Sequence, residues 1–298
     1  MRLEDMRESE NVDDRTGMGP GGGGGFPIGG GGMKLGGGAL ILIVIVSLLF
    51  GVNPMSLLGG LDTGSSTQTG AGPAPGYGPQ QAPGAPSAEK TLARKVLGDT
   101  EDVWSAIFKT QGATYTPPEL VLFAGRVESR CGLTSAAAGP FYCPADQQLY
   151  LDTTFFNELA QRFRAPGDFA QAYVIAHEVG HHVQNLTGTM RQFDAARQRM
   201  GDRSSNALSV RLELQADCYA GVWGYYAQKR GLLDPGDMDE ALAAAAAVGD
   251  DRIQKQAQGY VVPDSFTHGS AAQRQYWFKT GFQSGDFRKC DTFNQREP

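Results

Sequence analysis

The sequence predicts an α+β fold, mostly helical with a small β-sheet, confined to residues 89–298. Three observations predict it. Of 41 glycines in 298 residues, 23 lie in the first 88 and 18 in the remaining 210, and half of the 16 prolines share that front. Gly, Pro, Ser and Gln at this density bury too little apolar surface to offset chain entropy. The last 210 residues are instead long enough for one domain with a sizeable core. Within them, several stretches carry apolar residues at helical spacing, and two short ones read as strands.

The front divides into three. Residues 1–34, polar and then glycine-rich, are expected to be a disordered cytoplasmic tail. Residues 35–58 are expected to be a transmembrane anchor, because Ala39–Val52 (ALILIVIVSLLFGV) is an apolar run between low-complexity neighbours that offer it nothing to pack against. The long polar stretch before it, and the lack of a close A-x-A site after it, favour a retained anchor over a cleaved signal. Residues 59–88 then form a flexible Gly/Pro/Ser linker with a reach of roughly 30 Å. Lys34 precedes the span and the next basic residue is Lys90, which places the N-terminus inside and the domain outside the cytoplasm.

In the domain, residues 89–110 place Leu92, Val96, Val103, Ile107 and Phe108 at helical spacing. Leu120–Val127 and Gln148–Leu151 read as strands, and Thr153–Phe163 as a helix. Pro166-Gly167-Asp168 opens a longer helix ending at Gly188. Ser205–Arg230 is another, Asp234-Pro235 opens an alanine-rich one, and the last covers about Ser270–Phe282. A net charge of −6 without a basic block excludes a nucleic-acid binder. The four cysteines, 131, 143, 218 and 290, all follow the linker. They fit two disulfides in an oxidising compartment, and their spacing leaves all three pairings open.

The strongest chemical signal is His177-Glu178-Val179-Gly180-His181. On a helix, positions i and i+4 share a face, so both imidazoles can reach one ion. Glu178 lies about 100° round the helix, where it can reach a water on the metal and take its proton. Three of the four histidines fall within 177–182. His182, one step further round, is read as a partly exposed polar residue and not as a ligand. A catalytic zinc ion takes three protein ligands and keeps one position open. Glu213 and Asp217 sit at i and i+4 of an apolar-flanked helix, so Glu213 is the expected third ligand. Asp217 is expected to accept the outer N–H of a ligand histidine. His268 is the remaining candidate for an oxyanion donor; position alone leaves it even with a plain surface residue.

These motifs resemble those of gluzincin metallopeptidases. More closely, the chain is similar to the bacterial YpfJ-like neutral zinc metallopeptidases. The similarity rests on RESENVDDR, the glycine-rich segment before one apolar span, CGLTSAAAGPFYCPADQQLYLD, AHEVGHHVQ, ELQADCYAGVW and SFTHGSAAQRQYWFKTGF. Thr267-His268 with Arg274 is also similar to the T-H-P-x-x-x-x-R segment of HtpX-type membrane peptidases, with Gly269 in place of the proline. That likeness implies that His268 assists the transition state, with Arg274 either anchoring its helix or supporting the site. The family resemblance implies a zincin-like fold with an edge strand over the cleft, for which Gln148–Leu151 is the candidate. Cys131 and Cys143 bracket a Gly/Pro-containing loop, so a Cys131–Cys143 bond is expected and, by exclusion, Cys218–Cys290.

The expected function is therefore a membrane-anchored, extracytoplasmic zinc metalloendopeptidase of the bacterial cell membrane. His177, His181 and Glu213 would hold one zinc ion, Glu178 would be the general base and His268 the oxyanion donor, with a peptide or protein as substrate. The competing expectation is a non-catalytic, zinc-stabilised module that binds envelope proteins.

Overall fold

The computed structural model describes residues 1–17, 87–135 and 139–294. Among them are six strands: β1 (Val12–Asp14), β2 (Glu119–Phe123), β3 (Arg126–Ser129), β4 (Gly132–Ser135), β5 (Phe141–Cys143) and β6 (Gln148–Asp152). The helices are α1 (Ala88–Thr110), α2 (Phe155–Gln161), α3 (Asp168–Leu186), α4 (Thr189–Arg197), α5 (Asp202–Lys229), α6 (Asp237–Ala247), α7 (Asp250–Gln258) and α8 (Ala271–Ser284). This is a mostly helical α+β architecture with a small sheet, as the periodicity predicts.

The main sheet has the order β1-β2-β6-β5. β1, β2 and β6 run parallel, and β5 is antiparallel to β6. Alternation of side chains splits this sheet between two cores. Leu120, Leu122, Tyr142, Leu149 and Leu151 face the helices and join the large core with Trp104, Tyr173 and Trp223. Val121, Phe123, Phe141, Cys143 and Tyr150 face the other way, into a smaller core with Val127 of the β3–β4 hairpin. Both faces are covered, which is why Leu120–Phe123 (LVLF) reads as an unbroken apolar run.

Two strand expectations need correction. Leu120–Val127 is not one strand: the chain turns at Gly125 (φ 81°), whose N–H donates to Asp152 Oδ2 at 2.8 Å. Gln148–Leu151 is not an edge, because β6 lies between β2 and β5. The edge strand on that side is β5.

The larger correction concerns the front. Residues 1–17 are not a free tail but part of the domain. β1 pairs with β2 in the register Val12↔Leu120, Asp13↔Val121 and Asp14↔Leu122. Buried Glu101 on α1 accepts hydrogen bonds from Ser9 Oγ (2.6 Å), Arg7 Nη2 (2.8 Å) and Asn11 Nδ2 (2.9 Å). The Met1 amine sits on the Asp168 carboxylate at 2.7 and 2.8 Å, at the start of α3. A density of charged residues reads as a solvated tail, yet here the charges have partners on the domain.

The single-pass membrane localisation is corrected with it. Among the described residues no helix is long and apolar enough to cross a membrane. The segment 35–58, on which that expectation rested, lies outside the described residues, as do the rest of the expected tail and nearly all of the linker.

Both expected disulfides are present, Cys131–Cys143 and Cys218–Cys290. The first joins the β3–β4 turn to the end of β5. The second fastens the segment after α8 to the middle of α5.

Candidate metal centre

The centre is built where α3 crosses α5. α3 is buried around most of its circumference, with His177 and His181 both under 10 % exposed. Gly180, between them, permits the crossing: a Cβ there would stand 2.9 Å from the Ala216 carbonyl oxygen. At that separation Glu213 and Asp217, one helical turn apart on α5, both reach the histidines.

His177, His181 and Glu213 form a group that could hold a metal ion, with one ligand atom of each lying within 4.8 Å of the others. Glu213 Oε2 is 3.2 Å from His177 Nε2, and Oε1 is 3.5 Å from His181 Nε2. The outer nitrogens fix both tautomers. His177 Nδ1–H donates to Asp217 Oδ1 at 2.9 Å. His181 Nδ1–H donates to Gln184 Oε1 at 2.9 Å, and Gln184 spends its own N–H groups on the Leu212 carbonyl (2.7 Å) and Gln215 Oε1 (3.1 Å). Each Nε2 therefore points at Glu213, and it is the nitrogen that would hold an ion once its proton has left. Two imidazoles and a carboxylate are a donor set suited to zinc.

The electrostatics favour a cation at this spot. Burial disfavours the charged form of His177, but the Asp217 and Glu213 carboxylates outweigh it and raise its pKa to about 10. Burial works against the Glu213 carboxylate too, yet His181 and His177 hold its pKa well below the usual range. Glu178, next to His177, lines the same cavity of about 300 Å³. There burial, the largest influence, raises its carboxyl above the ordinary value.

Asp217 is fully buried beneath His177. Besides the His177 N–H it accepts from Arg274 Nε (2.8 Å to Oδ2), Arg274 Nη2 (2.9 Å to Oδ1) and Tyr173 Oη. Arg274 comes from α8, which lies so close to α5 that a Cβ at Gly281 would overlap the Cys218 carbonyl. Arg274 therefore supports the site from behind. Its Nη1 also reaches the Val248 carbonyl at 3.2 Å.

His268 lines the same cavity. Its Nδ1–H faces Asp250 Oδ1 at 3.2 Å, so Nε2 is the nitrogen left for the cleft. Asp250 Oδ2 collects the backbone N–H groups of Thr267 (2.7 Å), His268 (2.7 Å) and Gly269 (3.0 Å), fixing the loop as well as the ring. Burial opposes a charge on His268, but Asp250 outweighs it and raises the pKa.

His182 is not partly exposed, as its position suggests, but fully buried on the far side of α3. Its Nε2–H donates to the Thr116 carbonyl at 2.7 Å, which leaves Nδ1 to accept from Tyr142 Oη at 3.0 Å. Burial pushes its pKa down to about 4 and keeps it neutral. Gln184 and Asp250 escaped the sequence reading. Gln184 stands at i+3 from His181, a spacing that could have flagged it; nothing local marks Asp250.

The comparisons with known proteins agree with this chemistry. A family model described as "Putative neutral zinc metallopeptidase" matches residues 1–293. The chain is 44 % identical to the protein YpfJ of Escherichia coli strain K12 over 299 residues, covering 99 % of each chain. It is also 44 % identical over 259 residues to uncharacterised proteins of Mycobacterium tuberculosis strain H37Rv and Mycobacterium bovis, covering 83 % of this chain and 85 % of theirs. No solved structure matches it. On the evidence of a model match along nearly its whole length, the chain belongs to the family described as "Putative neutral zinc metallopeptidase".

Proposed function

We propose that the protein is a zinc-dependent endopeptidase. The observation that carries this reading is the convergence of His177, His181 and Glu213 in one cleft that Glu178 and His268 also line. His177, His181 and Glu213 would hold the ion. Zinc, when bound, lowers the pKa of a water to about 7 and polarises a carbonyl.

The chain's own residues do the rest. Glu178 takes the proton of the attacking water and hands it to the departing amine. The raised pKa of its carboxyl, caused chiefly by burial, makes it a better proton acceptor than an ordinary carboxylate. His268 presents Nε2–H to the oxygen on which charge develops, and Asp250 keeps the ring in place for this. Asp217, neutralised by Arg274, holds the tautomer of His177. The outer side of β5 has no strand partner among the described residues, and an extended peptide can add there. The cleft wall supplies Phe155, Phe193, Leu212 and Ile253, which suits apolar side chains beside the scissile bond.

The test uses the purified full chain, metal analysis and a quenched peptide library. One zinc ion per chain is expected, lost in His177→Ala, His181→Ala and Glu213→Ala, with cleavage by the loaded wild type alone. A fully loaded wild type that cuts no peptide would favour the non-catalytic binding module.

A further inference from the structure

The third histidine of the cluster has no place in the chemistry above. Yet it is wholly buried, one residue from a candidate ligand, and both its ring nitrogens are engaged. What it holds is Tyr142, the middle residue of the edge strand β5. The Thr116 carbonyl can only accept, so His182 Nε2 carries the proton and Nδ1 receives the Tyr142 hydroxyl. The same hydroxyl accepts from Asn185 Nδ2 at 2.9 Å, one turn further along α3. The rings of Tyr115 and Tyr142 pack edge-on against the His182 imidazole, at centroid distances of 5.7 and 5.4 Å. Phe141 and Tyr142 line the cleft with His177, Glu178 and His181.

Consecutive residues of one helical turn thus face two ways. His181 faces the candidate metal centre and His182 faces the strand that forms the cleft edge. We propose that His182 is a positioning residue, which through Tyr142 sets the position of β5 relative to the metal ligands and so the placement of an extended substrate. The substrate part rests on the peptidase reading; the clasp itself does not.

The test compares His182→Phe, His182→Gln, Tyr142→Phe and the double variant that combines His182→Phe with Tyr142→Phe, all in the full chain. Amide hydrogen exchange of zinc-free protein reads the clasp without any activity. Exchange of the β5 amides that pair with β6 is expected to rise about tenfold in His182→Phe, with α3 protected as in wild type. Gln keeps one donor and one acceptor, so His182→Gln should recover part of the protection. In steady-state cleavage of an extended peptide, KM should rise about tenfold in His182→Phe and kcat should change less than twofold, with zinc content unchanged. The double variant should be no worse than the worse single one. Unchanged exchange at β5, additive effects of the two substitutions, or loss of zinc with KM unchanged would each overturn the proposal. If wild type cleaves nothing but exchange behaves as stated, the peptidase reading fails and the clasp stands.

Discussion

Arg274 donates to both oxygens of Asp217, from Nε at 2.8 Å and from Nη2 at 2.9 Å, and both side chains are almost completely buried. The same carboxylate accepts the N–H of His177. One ion pair thus joins α8, α5 and α3 behind the candidate metal centre. Removing Arg274 alone strands a buried charge, so Arg274→Met should destabilise the zinc-free protein by about 3–5 kcal/mol. Adding Asp217→Asn should restore most of that loss. It should not restore zinc binding, which weakens about 10- to 100-fold once the carboxylate under His177 is gone. Denaturant unfolding and chelator competition measure the two effects separately.

The Cys218–Cys290 bond closes 72 residues and fastens the segment after α8 to α5, beside Asp217. That segment also gives its Cys290 carbonyl to Gln215 Nε2 at 2.9 Å. Replacing both cysteines by alanine should cost about 4 kcal/mol, chiefly by releasing the unfolded chain. Calorimetry of zinc-free protein with and without the bond gives the value.

The docking of residues 1–17 predicts an acid dependence. Burial raises the pKa of Asp14, but Thr16 and Lys90 outweigh it and leave a net lowering from 3.8. Lys90 Nζ lies 3.0 Å from the carboxylate. A folded-state pKa below the unfolded one contributes stability above pH 3.8, and that contribution is lost as pH falls through the folded value. Wild type should therefore be more stable than Asp14→Asn at pH 6, and the gap should close as pH falls through the lowered folded-state value. A gap that persists into stronger acid would show that the Asp14 charge is not its source.

The apolar cleft wall predicts a preference. Burying a Phe or Leu side chain is worth about 2–3 kcal/mol. Peptides with Phe or Leu beside the scissile bond should exceed their Asp analogues about 100-fold in kcat/KM. Leu212 lines the cavity, and Leu212→Arg should reduce that ratio at least tenfold. Rates on paired peptides check it.

The parts of the site that were legible in the sequence are local ones. The i, i+4 spacing of His177 with His181, and of Glu213 with Asp217, is set by one helix each. The partners that distant elements supply to Asp217 and His268 were not legible. Arg274 reaches Asp217 because α8 packs tightly on α5 near Gly281, and Asp250, the first residue of α7, reaches His268 in the segment just before α8. His182 looked exposed because helical phase relative to His181 says nothing about what packs on the opposite face. For residues 1–17 composition misled: Arg7, Ser9 and Asn11 are polar, but all three serve the buried Glu101. The edge strand was misplaced by one because β5 is only three residues long, too short for periodicity to reveal.

Proton transfer by Glu178 is checked by the cleavage rate of Glu178→Gln at measured zinc occupancy. One zinc ion per chain is expected, as in wild type, with kcat lower by about 10²- to 10⁴-fold. Zinc-loaded Glu178→Gln that cleaves at the wild-type rate would contradict it.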